Sequence, residues 1–422
     1  PVIDLIEILP PSGPLRSTVT IPGSKSLTNR ALLLAALGSG ETILQGALWS
    51  EDTQVMVECL QELGFMVGVA ADPTEPGNRT ISVYGKGGEV PRGGTPEAPL
   101  ELFVGNAGTA ARFLAAMLCL GSGVYRLHGV PRMHERPQAA LFDSLRQLGY
   151  RIDSPNNRLP ALIHGAGPRP GRCTVSLLES SQFASALLLS GRVGGWRVES
   201  TGANADEAPY VVMTEELVKA FPSTGGRFQI EPDASSGSYF WGAAPLLPAG
   251  SSVTVPHWPE SGWQIDAEFP RHLPLPQRVS RQRDLGDSIM TAIVLAPFAP
   301  HPVEFTELGR LRVQECERVE ALRTELTRCG ARVEERGDTL RVHPGPLHGA
   351  EIETYNDHRM AMCFAILGLK VPGMRLKNPA CVKKTFPNFF QKLAAPPPHG
   401  LGVLLRDPST GRPLAHDELL AT

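Results

Sequence analysis

Three stretches of this sequence gather small polar residues, and in two of them a cation follows about one helical turn later. Pro22-Gly23-Ser24-Lys25-Ser26 is followed by Arg30, Gly105-Asn106-Ala107-Gly108-Thr109 by Arg112, and Ser180-Ser181-Gln182 offers two hydroxyls and an amide. Each opens an Ala/Leu-rich run that reads as a helix. Helix N-termini expose unpaired N–H groups and partial positive charge, so they hold anions. Ser26 and Arg30 stand at i,i+4, on one face. Cationic clusters supply the rest: Arg132-Met133-His134-Glu135-Arg136-Pro137, Asp357-His358-Arg359 and Val382-Lys383-Lys384-Thr385. In Arg312-Val313-Gln314-Glu315-Cys316-Glu317-Arg318, Glu315 and Arg318 fall at i,i+3, the spacing of one helix face. Arginine forks grip carboxylates and phosphates, and lysine acts as a point charge. Taken alone, any one such turn reads first as a plain helix cap, and any one arginine as a solvated one. Their recurrence points to a substrate with several anionic groups. Asp287, ahead of the apolar Ile289–Ala296 run, reads as an N-cap or as a general base.

Other chemistries find less support. Gly-Ser-Lys-Ser lacks the glycine before lysine that a P-loop needs, and no Gly-x-Gly-x-x-Gly follows a strand. There is no His-Glu-x-x-His and the histidines are isolated, so no metal is expected. No Gly-x-Ser-x-Gly elbow supports serine hydrolysis. The net charge of −3 gives no basic field for nucleic acid. Only 8 of the 40 basic residues are lysine, which makes each lysine position informative. No apolar run approaches the ~20 residues that span a bilayer. Pro1–Pro10 has no signal-peptide pattern, and the seven scattered cysteines read as buried thiols. A cytoplasmic enzyme is expected.

These residues need elements to position them. A β-rich stretch, a Gly/Ser/Asn/Asp turn and an amphipathic helix recur at Thr18–Leu37, Leu102–Cys119, Cys173–Leu189, Phe228–Leu246, Arg283–Ala296, Arg312–Cys329 and Tyr355–Leu369. Further helices fit Asp52–Leu63, Pro137–Leu148 and Tyr210–Ala220. Alternating strands and helices give an α/β or α+β class built from repeated units. With 422 residues, two or three domains are expected. Pro256–Gln277 reads as a loop, and the Pro/Gly-rich tail after Ala394 as a lightly packed or mobile segment.

In chain order, IPGSKSLTNRALLLAAL, LFVGNAGTAARFLAA, PRMHERP, SSQFASALLL, DASSGSYF, RVQECERV, YNDHRMAMCF and KTFPNFF together resemble the 5-enolpyruvylshikimate-3-phosphate synthase (3-phosphoshikimate 1-carboxyvinyltransferase) family of enolpyruvyl transferases, over roughly residues 14–393. The resemblance implies two similar domains, each of three βαβαββ units with helices inside, an inside-out α/β barrel. Residues 1–22 with 234–422 would form the domain carrying the phosphoenolpyruvate clamp and the proton-transfer carboxylates. Residues 23–233 would form the shikimate-3-phosphate side. The reaction implied is transfer of the enolpyruvyl group of phosphoenolpyruvate to the 5-hydroxyl of shikimate 3-phosphate, with release of phosphate. It needs no cofactor. A monomer that closes on its substrates, with glyphosate as inhibitor, is implied too.

The resemblance also assigns residues. Lys25, Gly108, Arg136, Gln182, Arg318, Arg359 and Lys384 match positions that bind phosphoenolpyruvate, and Asn106 and Thr109 match the loop that lines it. Ser26, Arg30, Ser180, Ser181, Gln182, Tyr210, Asp287 and Gln314 match the shikimate-3-phosphate side. Asp287 and Glu315 match the proton-transfer pair, with Lys25 and His358 completing the catalytic set. Four positions depart from the family pattern. Gln314 replaces a lysine, Arg310 an asparagine, Glu207 a serine and Phe113 a proline. The first three lie on the acceptor side. They read either as compensated variation or as the mark of a paralogue acting on another phosphorylated alcohol or nucleotide. An inactive binding member of the fold is the third possibility. The ring of Phe113 is expected to weaken glyphosate inhibition by shifting the Gly108 loop.

Overall fold

A computed structural model describes residues 3–202 and 208–422. Glu207 lies outside the described residues. The chain divides into two compact units, Pro1–Pro22 with Pro232–Thr422, and Gly23–Glu231. The second is inserted in the first. At the entry point Gly23 admits no side chain, because a Cβ there would collide with the Gly46 carbonyl.

Each unit holds two four-stranded sheets and a two-stranded one among the described residues. In the inserted unit one sheet runs Leu100–Phe103, Val124–His128, Ala161–His164, Arg151–Asp153, and another runs Gly226–Gln229, Ser39–Leu48, Asn78–Lys86, Met66–Ala71. In the split unit the order Arg278–Ser280, Val303–Thr306, Thr339–Val342, Val333–Arg336 repeats that pattern. The last sheet runs Glu351–Ile352, Met374–Lys377, Leu5–Ile8, Leu405–Arg406. In all four, the first pair is parallel and the next two pairs are antiparallel. The remaining pairs, Gly171–Ser176 with Trp196–Thr201 and Arg16–Thr18 with Ser252–Thr254, are also parallel.

A parallel pair requires a crossover, and a helix supplies it. Gly108–Leu118, Ser181–Gly194, Ile289–Leu295 and His358–Leu367 are four such helices. Lys25–Leu37 and Ala234–Ala243 occupy the equivalent places where the chain changes units. These helices are apolar nearly all round, so they are buried rather than surface helices. All of Gly108–Leu118 and Ile289–Leu295 is buried. Helices inside and sheets outside make this an inside-out mixed α/β architecture. The recurring motif of the sequence corresponds to these strand-to-helix turns, so one geometric position, repeated, presents the candidate residues.

The helices read at Asp52, Pro137 and Tyr210 run over Glu51–Glu62, Ala139–Gln147 and Ala208–Ala220. The tail corrects its reading. Leu401, Val403, Leu405 and Leu419 are buried in the core of the split unit. Leu405–Arg406 pairs with Leu5–Ile8. The alternation Leu401, Val403, Leu405 has the period of a strand with one face inward, which the neighbouring prolines and glycines obscured. Six cysteines are buried and Cys316 is half-buried, all as free thiols. Among the described residues no helix is long and apolar enough to cross a membrane, and no three His, Cys, Asp or Glu side chains gather as a metal would need.

Candidate active site

In the inserted unit, Ser24 caps the Lys25–Leu37 helix, its hydroxyl accepting from the Leu27 N–H at 3.2 Å. Lys25 Nζ lies 3.1 Å from the buried carboxylate of Asp52. One turn on, the buried Arg30 guanidinium is held by three partners. It donates to Thr214 Oγ1 at 2.8 Å, Ser185 Oγ at 3.1 Å and the Ser26 carbonyl at 3.0 Å. Its flat face lies 5.1 Å from the Phe113 ring centroid. Burial pulls its pKa down to about 10, so it stays charged through the physiological range. Thr214 also donates to the carbonyl of Tyr210 at 2.8 Å.

The second cluster joins two crossover helices. Arg112 donates to Gln182 Oε1 at 2.6 Å, and Gln182 donates to Thr109 Oγ1 at 3.0 Å. Ser180 caps its helix by accepting from the Gln182 N–H at 3.1 Å, with Ser181 buried beside it. Arg136 donates to the Asn106 carbonyl at 2.9 Å. Its guanidinium lies against Gly108, where a Cβ would come within 2.5 Å of Nη2. Gly105, at φ +53°, makes the turn that brings this loop over. The motif around Arg136 does not open a helix. It closes the short helix Pro131–Glu135, and Arg136 stands in extended backbone just after it.

In the split unit, three carboxylates and four cations interlock. Asp287 is half-buried. Its Oδ1 lies 2.9 Å from Arg281, and its Oδ2 lies 3.6 Å from Arg318 and 3.7 Å from Arg359. Burial alone would raise its pKa, but Arg281, Arg359 and Arg318 outweigh it and hold the carboxyl well below the usual range. Asp287 is not the helix cap. Ser288 occupies that position, and the Asp287 side chain turns to the arginines instead. Arg318 is 1% exposed, and each of its three nitrogens has a partner. It meets Asp357 at 2.7 and 3.2 Å, Glu315 at 2.7 Å and Gln314 Oε1 at 2.6 Å. Burial opposes its charge, but Asp357, Glu315 and Asp287 raise its pKa well above the ordinary value.

Glu315 bridges onward to Lys384 at 3.0 Å. The Gln314 amide donates to both Asp287 oxygens at 3.3 Å. The stretch before Arg318 is a short 3-10 helix, Gly309–Val313, followed by a bend, so Glu315 and Arg318 do not share a helix face. Their ion pair forms instead across the entry to the Arg318–Arg328 helix, which Glu317 caps. His358 is buried, its Nδ1 3.7 Å from Asp357. Asp357 caps its helix through the Arg359 N–H at 2.9 Å, and the Arg359 guanidinium reaches Ser235 and Tyr239.

Each unit thus gathers its own candidates. Lys25, Ser26, Arg30, Asn106, Gly108, Thr109, Arg136, Ser180, Ser181, Gln182 and Tyr210 belong to the inserted unit, and Asp287, Gln314, Glu315, Arg318, His358, Arg359 and Lys384 to the split unit. Sequence reasoning missed Arg281, Asp52, Ser185 and Thr214, and it took Asp357 only as part of a cationic cluster. Arg281 sits in a Pro-flanked strand-to-loop stretch that carries no chemical pattern. Asp52 had one signal, an acid in the first turn of a helix after Ser50, but such acids commonly serve the helix dipole.

The family model described as EPSP synthase (3-phosphoshikimate 1-carboxyvinyltransferase) matches residues 9–273 and 276–393. A 3-phosphoshikimate 1-carboxyvinyltransferase from Nostoc punctiforme is 37% identical, over 92% of this chain and 98% of that one. Those of Opitutus terrae and Rhizobium etli are each 39% identical, over 93% and 95% of this chain and 98% of their own lengths. The fold is similar to that of EPSP synthase from Acinetobacter baumannii, with TM-score 0.74 at 21% identity over 96% of this chain and 100% of that one. It is also similar to the enolpyruvyl transferase NikO from Streptomyces tendae, with TM-score 0.69 at 16% identity over 96% and 99%. A match over nearly the whole chain, and relatives at this identity and coverage, show that the chain belongs to the EPSP synthase family.

Proposed function

We propose that this chain transfers the enolpyruvyl group of phosphoenolpyruvate to the 5-hydroxyl of shikimate 3-phosphate, the step that leads toward chorismate and the aromatic amino acids. The observation that carries this reading is the linked series Asp287–Arg318–Glu315–Lys384, in which every neighbour lies within 3.6 Å. It sets two carboxylates for proton transfer among cations for a dianionic substrate. Arg318 and Arg359 take the phosphoenolpyruvate carboxylate. Lys25, Arg136, Gln182, Lys384 and the Gly108 backbone take its phosphate. Arg30, Ser26, Ser180, Ser181 and Tyr210 hold the acceptor, with Arg30 toward its ring carboxylate.

Two polyanions must meet, and fixed cations offset their repulsion. Glu315 gives a proton to the methylene carbon, and the adjacent carbon becomes electrophilic. The acceptor oxygen attacks it as Asp287 takes the hydroxyl proton. The C–O bond to phosphate then breaks and phosphate leaves with the proton that Asp287 took, the new methyl group returns a proton to Glu315, and the enol ether forms. His358 stands beside Asp357 and supports the phosphoenolpyruvate side. The chain acts as a cytoplasmic monomer without metal or organic cofactor.

Mass spectrometry of the product tests the acceptor. Shikimate 3-phosphate should gain one carboxyvinyl group at the 5-oxygen. Other phosphorylated alcohols and nucleotides, offered in the same assay, should not. Gln314 makes this arm necessary, because its amide spans Asp287 and Arg318 and brings no positive charge to the acceptor side. A nucleotide modified in place of shikimate 3-phosphate would contradict the reading.

Gly108→Ala should raise the KM for phosphoenolpyruvate and leave that for shikimate 3-phosphate nearly unchanged. A Cβ there drives the Arg136 guanidinium off its position. Losing one charge-assisted hydrogen bond costs about 1.5–3 kcal/mol, or roughly 10- to 100-fold in KM. Steady-state kinetics with each substrate varied checks this. Glyphosate should inhibit in competition with phosphoenolpyruvate, since Gly108 is retained. Phe113 is fully buried under Arg30, and we expect it to weaken that inhibition. Tight glyphosate binding, unchanged in Phe113→Pro, would refute the weakening.

A further inference from the structure

The Pro256–Gln277 stretch, a loop by its sequence, contains a carboxylate with an unusual set of partners. Asp266 is 6% exposed and lies in the 3-10 segment Ile265–His272. Its Oδ1 accepts from the Gly286 N–H at 2.8 Å and the Ser288 N–H at 3.2 Å, and it also accepts from the Ser288 hydroxyl. Gly286 and Ser288 flank Asp287. One oxygen therefore pins the backbone on both sides of that residue. Burial pushes the Asp266 carboxyl up, against the Ser288 donors and the charge of Arg359. A buried carboxylate is costly to keep, and here one oxygen accepts from three donors around a single turn.

The same segment braces a second cation. Gln264, two residues earlier, accepts from the Ala234 N–H at 2.9 Å and donates to the Pro232 carbonyl at 2.8 Å. This fixes the start of the Ala234–Ala243 helix, whose Ser235 receives the Arg359 guanidinium. Both Asp287 and Arg359 are thus set from one loop.

We infer that Asp266 is a positioning residue for enolpyruvyl transfer, aiming the Asp287 carboxylate by holding the backbone on either side of it. The inference rests on the proposed role of Asp287 as base. Without Asp266, two buried N–H groups lose their acceptor, and the turn must relax to satisfy them. A misplacement of about 1 Å at a reacting group can cost on the order of 100-fold in rate.

A double-mutant cycle on the full chain tests this, with Asp266→Ala, Asp287→Ala and the pair, and with Asp266→Asn and Ser288→Ala as milder variants. Asp266→Ala should lower kcat by about 10- to 100-fold with little change in either KM. Asp266→Asn, which keeps an acceptor oxygen, should recover much of the loss. In the Asp287→Ala background the Asp266 substitution should cost nothing further, because it acts only through Asp287. If Asp266→Ala does not fold, Ser288→Ala carries the test. It removes one donor and leaves both N–H groups, and its several-fold loss should likewise vanish without Asp287. Folded Asp266 and Ser288 variants with unaltered kcat, beside a dead Asp287→Ala, would overturn this inference alone. So would a loss that persists undiminished in the Asp287→Ala background. An Asp287→Ala enzyme as active as the parent would overturn the base assignment and this inference with it.

Discussion

Asp287→Ala should lower kcat by about 10²- to 10⁴-fold, the range that general acid–base help supplies, with the KM for phosphoenolpyruvate unchanged or lower. The direction of KM follows from charge. Asp287 is the anion shared by Arg281, Arg318 and Arg359. Removing it leaves those cations less neutralised, so an anionic substrate binds at least as well. A residue that merely bound substrate would give the opposite pattern, a raised KM at constant kcat. Asp287→Asn keeps the shape, and its amide can still accept from Arg281, but it cannot take a proton. It should be nearly as inactive as the alanine variant. The three arginines also bear on pH. They hold Asp287 ionised far into acid, so an acid limb in the rate profile of the parent enzyme belongs to another group.

Arg318→Met should cost about 3–5 kcal/mol of stability, the usual consequence of removing one partner from a buried ion pair. It should also abolish useful phosphoenolpyruvate binding. Asp357 is 0% exposed and depends on both arms of Arg318, and Glu315 and Asp287 lose a cation as well. A urea titration reads the stability loss. Arg318→Lys should be intermediate, because one ammonium cannot reach the three carboxylates and the Gln314 amide that the planar fork reaches together. The sign with pH is fixed by Asp287. Its folded pKa is depressed, so its contribution is present above the unfolded value of about 3.9 and is lost as pH falls below it. The parent should therefore destabilise in acid below about pH 4. In Arg318→Met that sensitivity should be smaller and be complete at a higher pH, since less of the depression remains while the unfolded value is unchanged.

Much of the fold was legible because one pattern recurs. A β-rich stretch, a turn of small polar residues and an apolar helix describe each crossover, and a helix apolar on all faces has few places to go but inside. Ser24, Ser180 and Asp233 are ordinary caps whose types announce a helix start. The motif residues were legible for the same reason, since they sit at those starts. What the sequence hid lies in partnerships across long separations. Asp266 grips residues 20 and 22 positions away, Arg318 meets Asp357 at a separation of 39, and Arg30 meets Thr214 at 184. No local period encodes such pairs. Asp287 was ambiguous between cap and base because both readings need a carboxylate before a buried helix. Only the direction of its side chain separates them. Glu315 and Arg318 pair as their spacing suggested, but across a bend, because Cys316 and Glu317 precede the first helical residue. The tail was misjudged because prolines and glycines dominate its composition while four apolar side chains decide its packing.

Phosphate release from phosphoenolpyruvate, measured with and without shikimate 3-phosphate, tests the central claim most directly. Release should occur only when shikimate 3-phosphate is present, and it should disappear in Lys25→Ala and in Asp287→Ala. That result would make Gln314, Arg310 and Glu207 tolerated variation. A folded protein that binds phosphoenolpyruvate yet releases no phosphate with shikimate 3-phosphate would contradict the account, and would make those three positions the mark of a different acceptor.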